Sequence, residues 1–84
     1  MTRLWPEGQA IDVVQDAQGV PISFVWNGQA HRILELAHRW RVDVEWWRQR
    51  SWRAYYKLAT DSGLLVVIYQ NLETGEWYLQ RHYD

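Results

Sequence analysis

The sequence predicts an all-β domain, a small antiparallel meander of about six strands curled into a barrel or rolled sheet. Three observations support this prediction. Runs of β-branched and aromatic residues alternate with period two, Gly-containing turns separate them at near-regular spacing, and no stretch has a convincing helical pattern. Curling the meander would also remove exposed strand edges. Residues 1–84 are expected to form one domain, with residues 1–8 as a flexible lead-in before the first strand.

The first half of the chain reads as three strands. QAIDVVQD (9–16) is rich in β-branched residues and ends in a turn at Gly19, and PISFVW (21–26) alternates. Asn27-Gly28 follows at once, and this dipeptide favours a hairpin because both central residues of a type I′ turn need positive φ. The next run, QAHRILELAHRW, is therefore expected to fold back as the third strand.

This third run contains helix formers, but its parity is that of a strand. The apolar parity, expected in the core, holds Leu34, Leu36, His38, Trp40, Val42, Val44 and Trp46. The opposite, polar parity holds Glu35, Ala37, Arg39, Arg41, Asp43 and Glu45. A short helix beginning at Asp43 remains an alternative for the end of the run.

The second half supplies three further strands, WRAYYKLA (52–59), LLVVIYQ (64–70) and EWYLQRHYD (76–84), separated by turns at TDSG and NLETG. In the first of these strands, the alternation places one of Tyr55 and Tyr56 inside and the other outside. LLVVIYQ is apolar at both parities, which predicts a central strand covered on both sides.

Several function classes find no support in the composition. The absence of cysteine excludes disulfides, thiolate zinc sites and Cys catalysis. No apolar run approaches the roughly 18 residues of a membrane span, and the start lacks a secretory h-region, so a cytoplasmic location is expected. The three histidines lack metal-ligand spacing and are expected at the surface or half-buried, and no serine has a nucleophile context. We predict no catalytic residue, cofactor or metal.

The distinctive feature is the aromatic and basic stretch WRVDVEWWRQRSWRAYYK, residues 40–57. Residues 38–57 carry a net charge of +4, against −2 for residues 1–37 and −3 for residues 58–84. Single-stranded nucleic acid is held by basic side chains along its backbone and by aromatic rings under its bases. We predict a loop at 48–51 and a contact surface formed by the Arg39/Arg41 face and the 47–53 loop. Its candidate residues are Arg39, Arg41, Trp47, Arg48, Arg50, Trp52 and Arg53.

Three interpretations of this stretch stay open. A domain of this size must bury most of its Trp, and Arg stems often cover such rings, so the stretch can be core with its cover. It can instead be a surface for single-stranded nucleic acid. It can also be a surface for a protein, including a second copy in a homodimer, because exposed aromatic residues and Arg are typical of protein hot spots.

The order of aromatic residues resembles a small bacterial domain of undefined biochemistry. That domain occurs alone and at the C-terminal end of ImuB-type proteins, the catalytically inactive relatives of Y-family polymerases in mutagenic repair. The matching features are F-x-W-x-G-x-x-x-x-[IV] from Phe24, a W-R, a W-W, a Y-[YF] pair, G-x-W-x-L-x-R from Gly75 and a terminal Tyr-Asp. The resemblance runs from Pro21 onward and carries no binding residue over.

The resemblance implies an accessory role in DNA repair or replication. In ImuB-type proteins the C-terminal region is where partner proteins dock. With the charge pattern, this leads us to expect a non-enzymatic binding module that contacts single-stranded DNA or a DNA-bound protein complex. The alternative is a protein-interaction or self-association domain without nucleic-acid contact.

Overall fold

The computed structural model describes the backbone of residues 3–46 and 49–83 and the side chains of residues 8–43 and 52–83, and all regular structure in these ranges is β. The strands are β1 (Arg3–Gln15), β2 (Pro21–Trp26), β3 (Gln29–Trp46), β4 (Gln49–Thr60), β5 (Leu65–Asn71) and β6 (Trp77–Tyr83). Successive strands pair antiparallel, and β1 pairs with β6 to close a barrel. The predicted six-stranded antiparallel meander is confirmed. No helix long and apolar enough to cross a membrane occurs in the described ranges.

The turn between β2 and β3 has the predicted chemistry. Asn27 and Gly28 have φ values of 52° and 74°, so both central residues of the turn are left-handed. Trp26 pairs with Gln29 across them. The Asn-Gly signal therefore identified this hairpin correctly.

β1 and β3 each belong to two sheets. The first part of β1 pairs with β6 and its second part with β2, while the first part of β3 pairs with β2 and the rest with β4. The small sheet β1–β2–β3 packs on the larger sheet β1–β6–β5–β4–β3. The inner core between them consists of Ile11, Phe24, Ala54, Tyr56, Leu58, Val66, Ile68, Trp77 and Leu79.

A second cluster, the outer cluster, lies on the other face of the larger sheet. It consists of buried Tyr55, Val67 and Tyr69, with Trp40, Val42, Tyr78 and Tyr83 packed against them. β5 is thus covered on both sides, as its apolar pattern predicts. The Tyr pair divides as predicted, with Tyr56 in the inner core and Tyr55 in the outer cluster.

The single apolar parity predicted for β3 is wrong at its start. Leu34 and Leu36 are 68% and 36% exposed. Register shifts between Ile33 and Glu35 and between Leu36 and His38 each insert a residue, which inverts the inside–outside alternation. From His38 onward the alternation is regular, but this face of β3 packs on the outer cluster instead of the inner core.

β3 and β4 extend beyond the rest of the larger sheet as a hairpin. Pairing of β4 with β5 ends at Arg53 opposite Asn71, whereas β3 and β4 stay paired to Trp46 opposite Gln49. In place of the predicted loop at 48–51, residues 49–51 belong to β4, and Asp43 is in a strand instead of the alternative helix. The pairing of β3 with β4 continues because each strand satisfies the backbone hydrogen bonds of the other. We refer to residues 38–57 as the β3–β4 hairpin.

Candidate binding faces of the hairpin

Three of the predicted contact residues lie together on one face of the hairpin. Arg39 pairs with Tyr56 and Arg41 with Ala54, and both partners belong to the inner core, so the two Arg side chains lie on the inner-core side of the sheet. Trp52 is two residues from Ala54 along β4 and shares that side. Arg39 and Arg41 are exposed, and Trp52 is 44% exposed. Arg39, Arg41 and Trp52 are hereafter the basic face.

The basic face includes a shallow open depression, lined by residues 39–41 and 54–56. Leu72, 39% exposed, adjoins Trp52, because its backbone N–H donates to the Trp52 carbonyl over 2.9 Å. Asp43 pairs with Trp52 and adds a carboxyl group on the same side, towards the hairpin tip. The face therefore presents two guanidinium groups, an indole and an apolar side chain, with an acid at its outer end.

Arg53 lies on the opposite face from the other described candidates. Its guanidinium carbon is 4.6 Å from the centroid of the Tyr69 ring, and its Nη1 donates to the Tyr55 hydroxyl over 3.3 Å. The alternation along β4 separates Arg53 from Trp52, although the two are adjacent in sequence. For Arg53 the structure matches the core-with-cover interpretation.

The remaining predicted contact residues are Trp47, Arg48 and Arg50. Trp47 and Arg48 lie outside the described residues, and Arg50 is described only by its backbone, which belongs to β4. The basic face therefore consists of Arg39, Arg41 and Trp52.

Five rings form a continuous row of ring contacts across the other face of the hairpin and the strands beside it. They are His38, Trp40, Tyr55, Tyr69 and Tyr78, hereafter the aromatic ladder, and successive ring centroids are 5.2, 5.3, 5.2 and 5.1 Å apart. Trp40 pairs with Tyr55, Tyr55 with Tyr69, and Tyr69 with Tyr78, so the register itself brings the rings together. Sequence reasoning missed the ladder, because its signal appears only once the register is known.

β1 covers the ladder where Tyr69 meets Tyr78. Gly8 lies in the irregular stretch of β1 between Leu4 and Gln9 and has a φ of 81°. A Cβ added there would be 2.6 Å from the Cβ of Tyr78 and 3.0 Å from both Cε1 and the hydroxyl oxygen of Tyr69. Glycine alone combines this left-handed backbone with so close an approach. Tyr69 beneath it is only 2% exposed.

Tyr78, at the end of the ladder, has a hydroxyl group that is hydrogen-bonded to an acidic neighbour. Its hydroxyl donates to Oε2 of Glu76 over 2.6 Å. That hydrogen bond, followed by desolvation and by repulsion from the Glu76 charge, raises the pKa of Tyr78 above its ordinary value. The neutral phenol is therefore favoured at the end of the ladder.

Each of the three histidines packs against an aromatic ring. His31 is 5% exposed, so the prediction of surface or half-buried histidines is wrong for it; its pairing with buried Phe24 directs it inwards. His38 stacks on Trp40, and His82 meets the Trp26 ring edge-on at 5.3 Å. Across the described part of the chain, no group of three or more His, Cys, Asp or Glu is arranged to hold a metal ion.

His31 belongs to a chain of hydrogen bonds that holds the β4–β5 turn. Its Nδ1 is 2.8 Å from the Ser62 hydroxyl oxygen, which is 2.8 Å from the Thr60 hydroxyl oxygen. The backbone N–H of Leu64 donates to the same Thr60 hydroxyl, and the N–H of Gly63 donates to the Thr60 carbonyl. The N–H groups of Gly63 and Leu64 are thus engaged within the turn. The His31–Ser62 contact and the hydrogen bond from the Asp61 N–H to the Arg32 carbonyl tie the turn to β3.

Comparison with known proteins identifies a family but no activity. No match to the chain was found among curated proteins or among solved structures. A family model described as "Domain of unknown function (DUF6504)" matches residues 6–84, which include all of β2 to β6 and most of β1. The chain therefore belongs to the DUF6504 family, a family defined by a domain of unknown function.

Proposed function

We propose that this domain is a non-enzymatic binding module that contacts single-stranded nucleic acid through the basic face. The observation that carries the proposal is the joint exposure of Arg39, Arg41 and Trp52 on one side of an extended hairpin. The resemblance to the domain at the end of ImuB-type proteins supports a role as an accessory in bacterial DNA repair or replication, with DNA as the nucleic acid.

The spacing of the two Arg residues suits an extended polyanion. Arg39 and Arg41 are two residues apart on one strand, which separates their Cα atoms by about 6.8 Å. Successive phosphates along an extended single strand have a comparable separation, so each guanidinium takes one phosphate. Guanidinium groups bind phosphate oxygens in a bidentate manner, which also sets the orientation of the nucleic-acid backbone.

Trp52 supplies the stacking surface. Its exposed ring lies on the same side of the sheet as the two Arg residues, one strand away. Stacking of one base on an aromatic ring contributes about 1–3 kcal/mol and depends little on sequence. The basic face is thus suited to a short single-stranded segment without base-specific readout.

The aromatic ladder is less suited to this role, although it holds more rings. Tyr55 and Tyr69 are 6% and 2% exposed, and their faces are already occupied by neighbouring rings and by the Arg53 guanidinium. A base would have to displace these contacts before it could stack.

A protein partner is a second candidate, favoured by a different observation. Trp52 and Leu72 are both partly exposed and adjoin each other beside Arg41. Clusters of Trp and Arg around an apolar side chain are typical of hot spots in protein interfaces. A partner docked there would bury the indole instead of stacking a base on it.

The test is a titration of a fluorescently labelled single-stranded oligonucleotide with the protein at low salt. We expect weak binding that falls with salt, with a logarithmic slope of about −1.4 for two phosphate contacts. The double variant Arg39→Gln/Arg41→Gln should lose at least about tenfold in affinity and most of the salt slope.

Arg53→Gln is the matched control, because it removes one cation from the same hairpin on the opposite face. It should leave oligonucleotide binding unchanged. The nucleic-acid proposal fails if no binding is seen at tens of micromolar, or if the double variant binds as the unchanged protein does. If oligonucleotides fail to bind, the protein-partner candidate remains, to be tested by the effect of Trp52→Ala on capture of repair proteins.

A further inference from the structure

One edge of β3 is open over most of its length. Residues 29–32 pair with β2 on one side, and residues 33–46 pair with β4 on the other. Among the residues that the structure describes, no strand pairs with the β2 side of β3 beyond Arg32. Leu34 to Arg39 are exposed without a break, which is typical of an edge strand. The sequence led us to expect that a closed barrel would remove exposed edges, but this edge of β3 stays open in the part of the chain that the structure describes.

The regular part of this edge has a defined centre. The two register shifts of β3 end at His38, and the strand ends at Trp46. The regular open edge therefore spans residues 38–46, and its midpoint is Val42. Unpaired edges of this kind are the sites at which proteins add a further strand.

The charges along the same stretch are antisymmetric about the same residue. Arg39 and Arg41 precede Val42 at alternate positions, and Asp43 and Glu45 follow it at alternate positions. A strand with this pattern is complementary in charge to a second copy of itself that runs in the opposite direction. The open edge and the charge pattern thus share one centre.

We propose that two copies of the chain associate through this edge, with their β3 strands antiparallel and Val42 meeting Val42 on the two-fold axis. In this register Arg41 lies opposite Asp43 of the second copy, and Arg39 lies opposite position 45, a glutamate in the sequence. The two-fold axis repeats both pairs, which gives four cross-strand pairs of opposite charge. The result is one sheet that continues through both copies.

Other registers are disfavoured by the same charges. A shift of two residues places either Arg41 opposite Arg41 or Asp43 opposite Asp43, and a shift of four in one direction places Arg39 opposite Arg41. Like charges directly opposite each other on neighbouring strands are destabilising. A shift of one residue would place the basic face of one copy beside the ladder face of the other.

The other side of the joined strands would be apolar. Trp40 and Val42 lie there, both partly buried against the outer cluster. Val42 would meet its own copy, and Trp40 would lie opposite position 44, a valine in the sequence. Pairing would therefore extend the apolar surface of the outer cluster while it satisfies the open backbone groups of both strands.

Self-association goes beyond the proposed function and stands without it, but the two are linked. Arg39 and Arg41 would contact phosphates in one complex and acidic side chains of the second copy in the other. Single-stranded oligonucleotide should therefore shift the protein towards monomer, if both proposals hold.

The experiment is analytical ultracentrifugation of the full chain over a range of concentrations. The unchanged protein should sediment as a dimer that dissociates on dilution. Arg41→Asp and Asp43→Arg should each weaken the dimer at least about tenfold, because each places like charges opposite each other at two symmetric positions. Arg32→Asp is the matched control on β3, outside the open stretch, and should leave the dimer unchanged.

The decisive step is to mix the two weakened variants. An equimolar mixture of Arg41→Asp and Asp43→Arg should form a heterodimer, because each variant supplies the charge that the other lacks. The double variant Arg41→Asp/Asp43→Arg should likewise recover the homodimer. Loss of folding in a single variant cannot produce either recovery, since an unfolded chain would not associate in register.

Three results would overturn the inference. The unchanged protein could remain monomeric at hundreds of micromolar, the mixture could fail to associate, or the control Arg32→Asp could weaken the dimer as much as Arg41→Asp does. A failure of oligonucleotide binding alone would overturn the proposed function and leave the dimer intact.

A disulfide cross-link tests independently whether the two-fold axis passes through Val42. The chain has no cysteine, so Val42→Cys would carry the only thiol. Directly opposite residues of antiparallel strands have Cα atoms about 4.5–5.5 Å apart, within the range of a disulfide. Mild oxidation should give a covalent dimer for Val42→Cys and much less for Val25→Cys, which is exposed elsewhere. Equal cross-linking of the two variants would contradict the proposed axis.

Discussion

The two faces of the β3–β4 hairpin carry the same types of residue in opposite states. On one face Trp40 stacks on Tyr55 with an angle of 9° between the ring planes, and Arg53 lies over Tyr69. On the other face Arg41 is exposed, and Trp52 has 44% of its surface exposed. Both faces belong to the same two strands, so neither composition nor strand propensity accounts for the difference.

The difference comes from what the neighbouring strands supply. On the ladder face, β5 and β6 add Tyr69 and Tyr78 in register with Tyr55, and β1 covers them at Gly8. On the basic face, β5 pairs with β4 as far as Arg53, and past that point the backbone N–H of Leu72, in the turn after β5, donates to the Trp52 carbonyl. Side chains of one aromatic and basic stretch are thus buried where neighbouring strands cover them and exposed where those strands end.

The largest test of this comparison replaces one ring on each face. Tyr69→Ala should lower the free energy of unfolding by about 3–5 kcal/mol, because it removes a buried ring at the centre of the ladder and leaves a cavity. Trp52→Ala should lower it by about 1 kcal/mol or less, because most of the cost of truncation comes from buried side chains. Urea unfolding of both variants makes the measurement. Equal losses would show that the two faces are packed alike.

The next test concerns the cover over the ladder. Gly8→Ala should destabilise the fold by about 2–4 kcal/mol, since it adds a left-handed non-glycine residue and a Cβ that overlaps Tyr78. Gly28→Ala is the control, because its φ is also positive but nothing lies within 4 Å of the added Cβ. The excess loss in Gly8→Ala measures the overlap alone. If the two variants unfold at the same urea concentration, the close packing of Gly8 against Tyr78 is contradicted.

The smallest expected effect is electrostatic and lies at the end of the ladder. Glu76→Gln should lower the pKa of Tyr78 towards its ordinary value, because it removes the charged carboxylate that accepts the hydrogen bond from the phenol. In the unchanged protein the raised pKa of Tyr78 stabilises the fold at pH values below the ordinary pKa of tyrosine. This stabilisation is lost as the pH rises through the raised pKa. Absorbance of the phenolate during alkaline titration measures the shift, with Glu73→Gln, in the same turn, as the control. A titration curve identical to that of the unchanged protein would contradict the assignment to Glu76.

Local patterns predicted the strands well, because strand alternation and turn formation depend on residues that are close in sequence. The Asn27-Gly28 turn, the two-sided burial of β5 and the division of Tyr55 from Tyr56 all follow from period-two alternation and turn chemistry. The alternation along β3 failed at Leu34 and Leu36 because it assumed an uninterrupted register. Bulges leave no reliable signal in a single sequence, so the inversion could not be read in advance.

The candidate site was predicted less completely than the fold. The structure places Arg39, Arg41 and Trp52 on one face of the hairpin, whereas Arg53 could be separated from them only once the parity of β4 was known. The ladder depends on pairings between strands distant in sequence, as Tyr55 with Tyr69 and Tyr69 with Tyr78 show. Such pairings follow from the closed topology, which the local pattern leaves open.

The pairing of β1 with β6 also constrains how the chain can fold. β1 contributes Ile11 to the inner core and Gly8 to the cover of the ladder, while β6 contributes Trp77 and Tyr78 to the same two places. Contacts between the first and last strands close the longest loop in the domain, and such contacts slow folding. During synthesis, neither cluster can be completed until β6 has emerged. The aromatic residues of β4 and β5 therefore stay partly exposed to solvent until the last strand of the domain has been synthesised.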